Sequence, residues 1–187
     1  AGIQTAIETG FKRIKLNAVI LKNRNDNEVI DLVQFAIDKG IDISFIEEMP
    51  LGVINSHSRA EAYYSSDAIK QDLEQHFSLD KISDTTAGPS DYYQITGSST
   101  KVGFISPHSH NFCSTCNRVR LTAEGRLLLC LGNEHSIDLK AIMRQYPQDE
   151  ARIKQAIIDA MQIKPEKHEF NLKEQPIIMR HMNTTGG

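Results

Sequence analysis

The three cysteines of this chain carry the clearest chemical signal in its sequence. Cys113 and Cys116 are separated by two residues, and Cys130 follows in the run FCSTCNRVRLTAEGRLLLC. A two-residue gap lets two thiolates converge on one metal centre. Two short strand-like stretches joined by 123–125 would return the third thiolate to the same end. The spacing predicts a metal site with three thiolate ligands and one coordination position open to a group other than cysteine.

Two kinds of metal centre can use this arrangement. Structural zinc needs a fourth ligand, for which His108, His110 and His135 are the nearby candidates. An iron–sulfur cluster held by three thiolates keeps one iron open to a substrate. A disulfide fits poorly, because the cysteine count is odd and the sequence shows no secretory signal. Spacing alone leaves zinc and iron–sulfur as alternatives.

Two arginines follow the cysteine loop directly. The segment Asn117–Leu121 has the pattern of a strand, in which Arg118 and Arg120 share one face by the two-residue period. The guanidinium group is always charged, and its planar fork suits phosphate oxygens. The alternative is a pair of solvated arginines on an exposed strand. Their position beside the cysteine loop favours a pocket for an anionic ligand.

Together these motifs resemble one known family. The cysteine loop, the N-R-x-R-L strand, the G-x-L-x-x-C-L return and the terminal Gly186-Gly187 are similar to the second-cluster motif and tail of the GTP 3′,8-cyclases. These are radical S-adenosylmethionine enzymes that begin molybdenum cofactor (molybdopterin) biosynthesis, also called molybdenum cofactor biosynthesis protein A. The resemblance runs the length of the chain.

The resemblance implies a fold and a reaction. The fold would be α/β, with residues 1–54 forming the last part of a partial (β/α) barrel and residues 55–187 an α+β cluster-binding domain. The intact enzyme is a lyase that converts GTP to (8S)-3′,8-cyclo-7,8-dihydroguanosine 5′-triphosphate. A 5′-deoxyadenosyl radical from S-adenosylmethionine removes the 3′ hydrogen of GTP. The C-x3-C-x2-C loop of the first cluster does not occur here, so we expect a carboxy-terminal part that is inactive alone.

The resemblance also assigns roles to single residues. The implied roles are second [4Fe–4S] cluster ligands for Cys113, Cys116 and Cys130, GTP contacts for Lys15, Arg118, Val119 and Arg120, S-adenosylmethionine contact for Met49, and catalytic support from the Gly186-Gly187 tail. Simpler readings exist for three of these features. A solvated edge lysine, a core methionine and a disordered chain end are common in proteins.

The elements that would position these residues alternate near the amino terminus. Arg13–Leu21 and Ile43–Glu47 read as strands, with an amphipathic helix from Asn25 to Lys39 between them. Asn25 and Glu28 resemble a capping box at its start, and Gly40 ends it. Strand, helix and strand with short links predict a right-handed parallel crossover. Ligands in such folds gather at the carboxyl ends of the strands.

The remaining pattern is less informative. It predicts an irregular loop at 52–64, a helix at 66–77, a turn-rich link at 84–90, paired strands at 92–96 and 102–106, and helices at 137–145 and 148–163. His168 and His181 lie among polar residues, and we expect them to be solvated rather than metal ligands.

Composition excludes several classes of partner. The net charge is −3 and the lysines are scattered, so no basic stripe indicates nucleic-acid binding. No apolar run reaches membrane-spanning length, and reduced cysteines without a signal peptide indicate the cytoplasm. GTP is the expected ligand, and the downstream cyclic pyranopterin monophosphate synthase is the expected pathway partner. A homodimer is one option for the oligomeric state. A structural zinc ribbon and another radical enzyme with an auxiliary cluster are the alternative functions.

Overall fold

The computed structural model describes residues 2–83 and 88–185 of the chain. Contacts divide the chain into two compact units. The first consists of Ala1–Glu48 with Ser58–Phe112, and the second of Met49–His57 with Cys113–Gly187. Helices and strands occur in both units. The α/β character predicted from the sequence is therefore confirmed, whereas the partial barrel stays a prediction.

The first unit is a mixed sheet with helices. Its described elements are α1 (Gly2–Glu8), β1 (Lys15–Val19), α2 (Val29–Lys39), β2 (Asp42–Ile46), α3 (Arg59–Ala62), α4 (Ser66–Glu74), β3 (Leu79–Lys81), β4 (Asp91–Ile95) and β5 (Lys101–Ile105). The strand order is β1-β2-β5-β4-β3. Strands β1, β2 and β5 run parallel, and β4 and β3 continue the sheet in antiparallel pairing.

The parallel pairing of β1 with β2 confirms the predicted crossover. Lys15 pairs with Asp42 at the start of the two strands, and Val19 pairs with Ile46 at their end. A parallel pair needs a crossover connection, and α2 is that connection. The second predicted pair of strands also forms, and it is antiparallel, with Tyr93 of β4 opposite Val102 of β5.

The start of α2 differs from the expectation. Asn25 does not cap the helix: its side-chain oxygen accepts a hydrogen bond from the Leu21 N–H at 2.7 Å, and its side-chain nitrogen donates to the Val19 carbonyl at 3.0 Å. A 3₁₀ turn at Asp26–Glu28 then precedes the helix. The capping-box prediction was wrong, because the asparagine closes the turn after β1 instead.

The core of the first unit lies between the helices and the sheet. Gly40 ends α2 in the left-handed conformation, at φ 62°, which glycine adopts without a Cβ penalty. The apolar face of α2, with Val29, Val33 and Ala36, is part of the core, as the helical spacing predicted. The most deeply buried members of the core are Val33, Ala36, Ile43, Phe45, Ile69, Leu73 and Val102.

The second unit is built from shorter elements. They are β6 (Arg120–Leu121), β7 (Arg126–Leu128), β8 (Ser136–Asp138), α5 (Leu139–Gln145) and α6 (Glu150–Gln162), with 3₁₀ turns at Cys113–Thr115 and Met182–Thr184. The strands form an antiparallel sheet in chain order. Asp138 and Asp149 cap the two helices by accepting hydrogen bonds from backbone N–H groups at 2.8 and 3.0 Å. Leu127, Leu129, Leu139 and Ala160 form its core.

Several predicted bounds need correction. The strand expected at 117–121 comprises residues 120–121, and the loop expected at 52–64 contains α3, whose amino end is capped by Ser58. Strands β3 and β8 were not predicted. Elements of three or four residues are too short to show a hydrophobic period.

Some expectations fall outside what the structure describes. Residues 84–87 of the turn-rich link and the Gly186-Gly187 pair lie outside the described residues. The five-stranded sheet crosses the predicted boundary between residues 54 and 55, and the division into 1–54 and 55–187 stays a prediction. Over residues 2–83 and 88–185, no helix combines the length and the apolar character needed to cross a membrane.

Candidate metal and nucleotide site

The cysteine loop of the second unit is closed by local backbone contacts. Cys113 and Cys116 lie on one 3₁₀ turn, in which the Cys116 N–H donates to the Cys113 carbonyl at 3.1 Å. The β6–β7 hairpin then turns at Gly125, whose φ is 85°, a conformation that glycine adopts without a Cβ clash. The chain returns along β7 and reaches Cys130. The hairpin predicted from the sequence is therefore present.

The Cys130 thiol lies within electrostatic range of Cys113 and Cys116. Each is half-buried, and in the described part of the chain none of them forms a disulfide. Burial raises the pKa of the Cys130 thiol, and charge on Cys113 and Cys116 raises it further. A nearby Lys164 and the Gly132 N–H favour the thiolate of Cys130 and lower its pKa in part. These are the groups that compensate negative charge on a cluster of thiolates.

Backbone N–H groups point at two of the sulfurs. The His168 N–H donates to the Cys113 sulfur at 3.4 Å, and the Gly132 N–H donates to the Cys130 sulfur. Such hydrogen bonds are among the features that tune an iron–sulfur cluster. His168 was expected to be solvated, but it is half-buried and its ring stacks on Phe170 at 4.3 Å. No local pattern signals the hydrogen bond from His168 to Cys113, because these two residues are 55 positions apart in the chain.

The candidate histidines for zinc have other partners. The His108 ring lies 2.8 Å from the Glu48 carbonyl, and the His110 ring lies 2.9 Å from a carboxylate oxygen of Asp67. His135 is exposed. Among the residues that the structure describes, no three or more His, Cys, Asp or Glu side chains are grouped as a site for a single metal ion.

Arg120 is the unusual member of the arginine pair. Arg118 and Val119 are exposed, whereas Arg120 is half-buried, and its buried Nε has no hydrogen-bond partner in the described residues. Burial lowers the pKa of Arg120, and the like charge of Arg118 lowers it further. Charge on Cys116 and Cys130 acts in the opposite direction. A buried donor without a partner is costly, so this guanidinium group is suited to an anionic ligand.

Lys15 and Met49 belong to different units. Lys15, on β1 of the first unit, donates a hydrogen bond to the Tyr92 hydroxyl at 3.1 Å, and its ammonium group lies 5.7 Å from the centre of that ring. Met49 is half-buried and opens the second unit. The structure places Arg120 within electrostatic range of Arg118, Cys116 and Cys130. A shared site with Cys113, Lys15 and Met49 stays a prediction.

A buried carboxylate, which the sequence pattern does not predict, lies at the end of β2. Glu47 follows β2 and is fully buried. One of its oxygens accepts from the Tyr63 hydroxyl at 3.1 Å, from the Ser66 N–H at 3.0 Å and from the Ser109 hydroxyl. The other accepts from the N–H groups of His108 and Ser109 at 2.9 and 3.1 Å. Glu47 therefore ties the segment that leads to the cysteine loop onto the end of β2.

The surroundings of Glu47 show how its charge is stabilised. Burial by itself would raise the pKa of Glu47, but the hydrogen bonds outweigh burial and lower that pKa below 4.5. Burial, followed by the charge of Glu47, raises the pKa of Tyr63 to about 12. Next along the chain, Glu48 forms a largely buried ion pair with Arg59 at 3.2 Å. A glutamate that ends a buried strand is the only local signal for this network.

The Molybdenum Cofactor Synthesis C family matches residues 41–170, which include the cysteines, Arg120 and Glu47. The chain belongs to this family. GTP 3′,8-cyclase of Pseudomonas entomophila (strain L48) is 60% identical over 188 residues, an alignment that covers 100% of this chain and 56% of the relative. GTP 3′,8-cyclase of Saccharophagus degradans is 59% identical over 186 residues, with the same coverage. This Molybdenum Cofactor Synthesis C chain spans about half the length of the curated relatives it matches.

Proposed function

We propose that this chain is the carboxy-terminal part of a GTP 3′,8-cyclase, the first enzyme of molybdenum cofactor biosynthesis. The observation that carries the proposal is the half-buried Arg120, whose Nε has no hydrogen-bond partner in the described residues and which lies within electrostatic range of Cys116 and Cys130. An open metal centre next to an unsatisfied guanidinium group is suited to a ligand with both a metal-binding and a phosphate part. GTP has both. The sequence similarity to cyclases supports the same assignment.

The three cysteines are the proposed ligands of an iron–sulfur cluster, a centre that holds several metal ions rather than one. Cys113, Cys116 and Cys130 would hold a second [4Fe–4S] cluster, with N–H groups of His168 and Gly132 bonded to the sulfurs. When bound, this cluster would supply an open iron to which a base of the substrate can coordinate. The protein's own part is to hold the thiolates and to limit access of water through their partial burial.

Arginine would bind the phosphate groups. Arg120 offers a guanidinium group that is already partly desolvated, so a phosphate oxygen would replace a missing partner rather than compete with one. Arg118 is exposed nearby and can add a second positive charge, and Val119 lies between them. Lys15 is a further cation that would contact GTP. Its present partner, the Tyr92 hydroxyl, is neutral and can be exchanged for an anionic one.

The whole enzyme would combine this segment with a first cluster and S-adenosylmethionine. Met49 is the residue of this chain proposed to contact S-adenosylmethionine, and Gly186-Gly187 would support catalysis at the chain end. The overall reaction is the conversion of GTP to its 3′,8-cyclo dihydro derivative, a lyase reaction. The downstream cyclic pyranopterin monophosphate synthase would take the product. A cytoplasmic location and a homodimer belong to the same proposal.

Metal analysis of the full-length enzyme tests this function. After anaerobic reconstitution, we expect about four irons bound through this segment, and Cys130→Ser should remove most of them. Ser114→Ala changes an exposed residue of the same loop and serves as the matched control. The reconstituted enzyme should convert GTP to the cyclised product, detected by mass spectrometry. Stoichiometric zinc that survives reconstitution, without iron–sulfur absorbance, would contradict the proposal and favour a zinc ribbon.

A further inference from the structure

The segment near the carboxyl end is attached to the loop that follows β2. Leu51 and Ile178 form a parallel bridge, and the Gly52 N–H donates to the Ile178 carbonyl at 2.8 Å. Both side chains of the bridge are buried, with Ile178 2% exposed and Leu51 8% exposed. The neighbouring Ile177 is 58% exposed. Ile178 is therefore the apolar anchor of the segment.

Gly52 fits this attachment because it lacks a side chain. Its φ is 65°, and a Cβ built on it would lie 2.4 Å from Nδ1 of His181 and 2.8 Å from Cγ. Atoms at that separation collide, so the imidazole ring would have to leave its place. His181 was expected to be solvated. Although it is exposed, its ring lies directly against the Gly52 backbone.

A second attachment follows the cysteine return. Arg180 donates to the Asn133 carbonyl at 3.0 Å and forms an ion pair with Glu134. Asn133 is buried, and its side-chain oxygen accepts a hydrogen bond from the His135 N–H at 2.9 Å, which fixes this turn. The segment is thus held by two separate loops of the second unit.

The attachment extends to the last described residue. Met182–Thr184 form a 3₁₀ turn, and Thr185 is 1% exposed, with its hydroxyl donating to the Met182 carbonyl at 2.7 Å. Buried Thr185 is therefore the last point at which the described chain is attached, directly before the glycine pair in sequence.

We propose that the Leu51–Gly52 loop and the Asn133–Glu134 turn form a docking site that fixes the segment 178–185, and that Ile178 and Gly52 are positioning residues for the terminal glycine pair. The positioning role rests on the proposed function, which assigns catalytic support to the glycine pair. Docking itself is a separate property of the fold. It can be measured without turnover.

Two pairs of variants in the full-length enzyme test the docking site. Ile178→Ala removes the buried anchor, while Ile177→Ala changes its exposed neighbour in the same way. Gly52→Ala introduces the collision, while Gly40→Ala imposes a similar left-handed strain, at φ 62°, where nothing lies near the added Cβ. Hydrogen exchange should become about tenfold or more faster over 178–185 in the first member of each pair. Equal exchange within both pairs would overturn the docking site.

Turnover then tests positioning. In Ile178→Ala and Gly52→Ala, kcat should fall about tenfold to a hundredfold while iron content and GTP affinity stay near wild type. Ile178→Val should keep most of the wild-type kcat. Adding His181→Ala to Gly52→Ala should restore kcat, because it removes the ring with which the added Cβ collides. Removing Gly186-Gly187 from the Ile178→Ala variant should lower kcat little further, because Ile178 is proposed to act through that pair.

The possible failures are distinguishable. Faster exchange with wild-type kcat would refute the positioning role. A wild-type enzyme that makes no cyclised product would refute the proposed function, and the exchange comparison would still decide whether the segment docks. Should Ile178→Ala not fold, the Gly52 pair gives the same decision, because its collision involves an exposed ring.

Discussion

Replacing Glu47 by Gln should destabilise the first unit strongly, although the two side chains have nearly the same shape. The carboxylate is fully buried, and both of its oxygens act as hydrogen-bond acceptors. One oxygen accepts three hydrogen bonds, and the other accepts two, from the N–H groups of His108 and Ser109. A glutamine has to place its NH₂ group at one of these two positions. Donors would then face donors.

The magnitude follows from the less crowded of the two oxygens. If the NH₂ group takes the position facing His108 and Ser109, two backbone N–H groups lose their acceptor. An unsatisfied buried donor costs about 1–3 kcal/mol, and bonds to a charged acceptor are at the upper end. We therefore expect Glu47→Gln to lower the free energy of unfolding by about 3 kcal/mol.

Chemical denaturation with matched variants measures this loss. Urea unfolding followed by circular dichroism should show the full decrease for Glu47→Gln at neutral pH. Glu61→Gln makes the same change at an exposed glutamate of α3, and its effect should stay within about 0.5 kcal/mol. Tyr63→Phe removes a single donor to Glu47 and should lose about 1 kcal/mol.

The pH dependence provides an independent check. Because hydrogen bonds lower the pKa of Glu47 in the folded state, its stabilising contribution is present above the ordinary value of 4.5. It is lost as the pH falls through the lowered folded-state pKa. The difference between wild type and Glu47→Gln should therefore be constant above about pH 5 and shrink in more acidic solution. Equal urea midpoints for the Gln variants of Glu47 and Glu61, or a difference that does not shrink in acid, would show that the buried charge of Glu47 does not stabilise this unit.

Three further results are expected in the full-length enzyme. Arg120→Ala should weaken GTP binding about tenfold or more in calorimetry, as loss of a charge-assisted contact of roughly 1.5–3 kcal/mol implies, while Arg152→Ala on α6 should not; equal affinities would remove Arg120 from the site. Deleting Gly186 and Gly187 should sharply reduce cyclisation at unchanged iron content, and a synthetic peptide of the last residues should restore part of it; wild-type turnover would show that the tail has no role. Gly132→Ala should lower iron occupancy, because the added Cβ would lie 2.6 Å from the Cβ of His168, whose N–H donates to the Cys113 sulfur. Full iron occupancy would show that this close approach is not needed.

Much of the fold was predictable because it depends on local patterns. The helical spacing of α2 and the glycine at its end predicted the crossover between β1 and β2. The amino end of α2 was not predictable in the same way. Asn25 can bond either the backbone at the start of the helix or that of the preceding turn, and it bonds the Leu21 N–H and the Val19 carbonyl of that turn. Short elements such as β3 and β8 depend on pairing with distant strands, which a local pattern does not encode.

For the site, the reactive groups could be read from the sequence: three cysteines, two arginines and the spacing that brings them into one loop and one hairpin. Which of these groups is buried depends on the folded chain. It singled out Arg120 from Arg118, enclosed the Glu47 carboxylate among five donors, and placed His168 and His181 against Cys113 and Gly52. Burial and long-range contacts depend on segments that meet only after folding, so residue type and spacing specify which atoms can react and the packed chain specifies their surroundings.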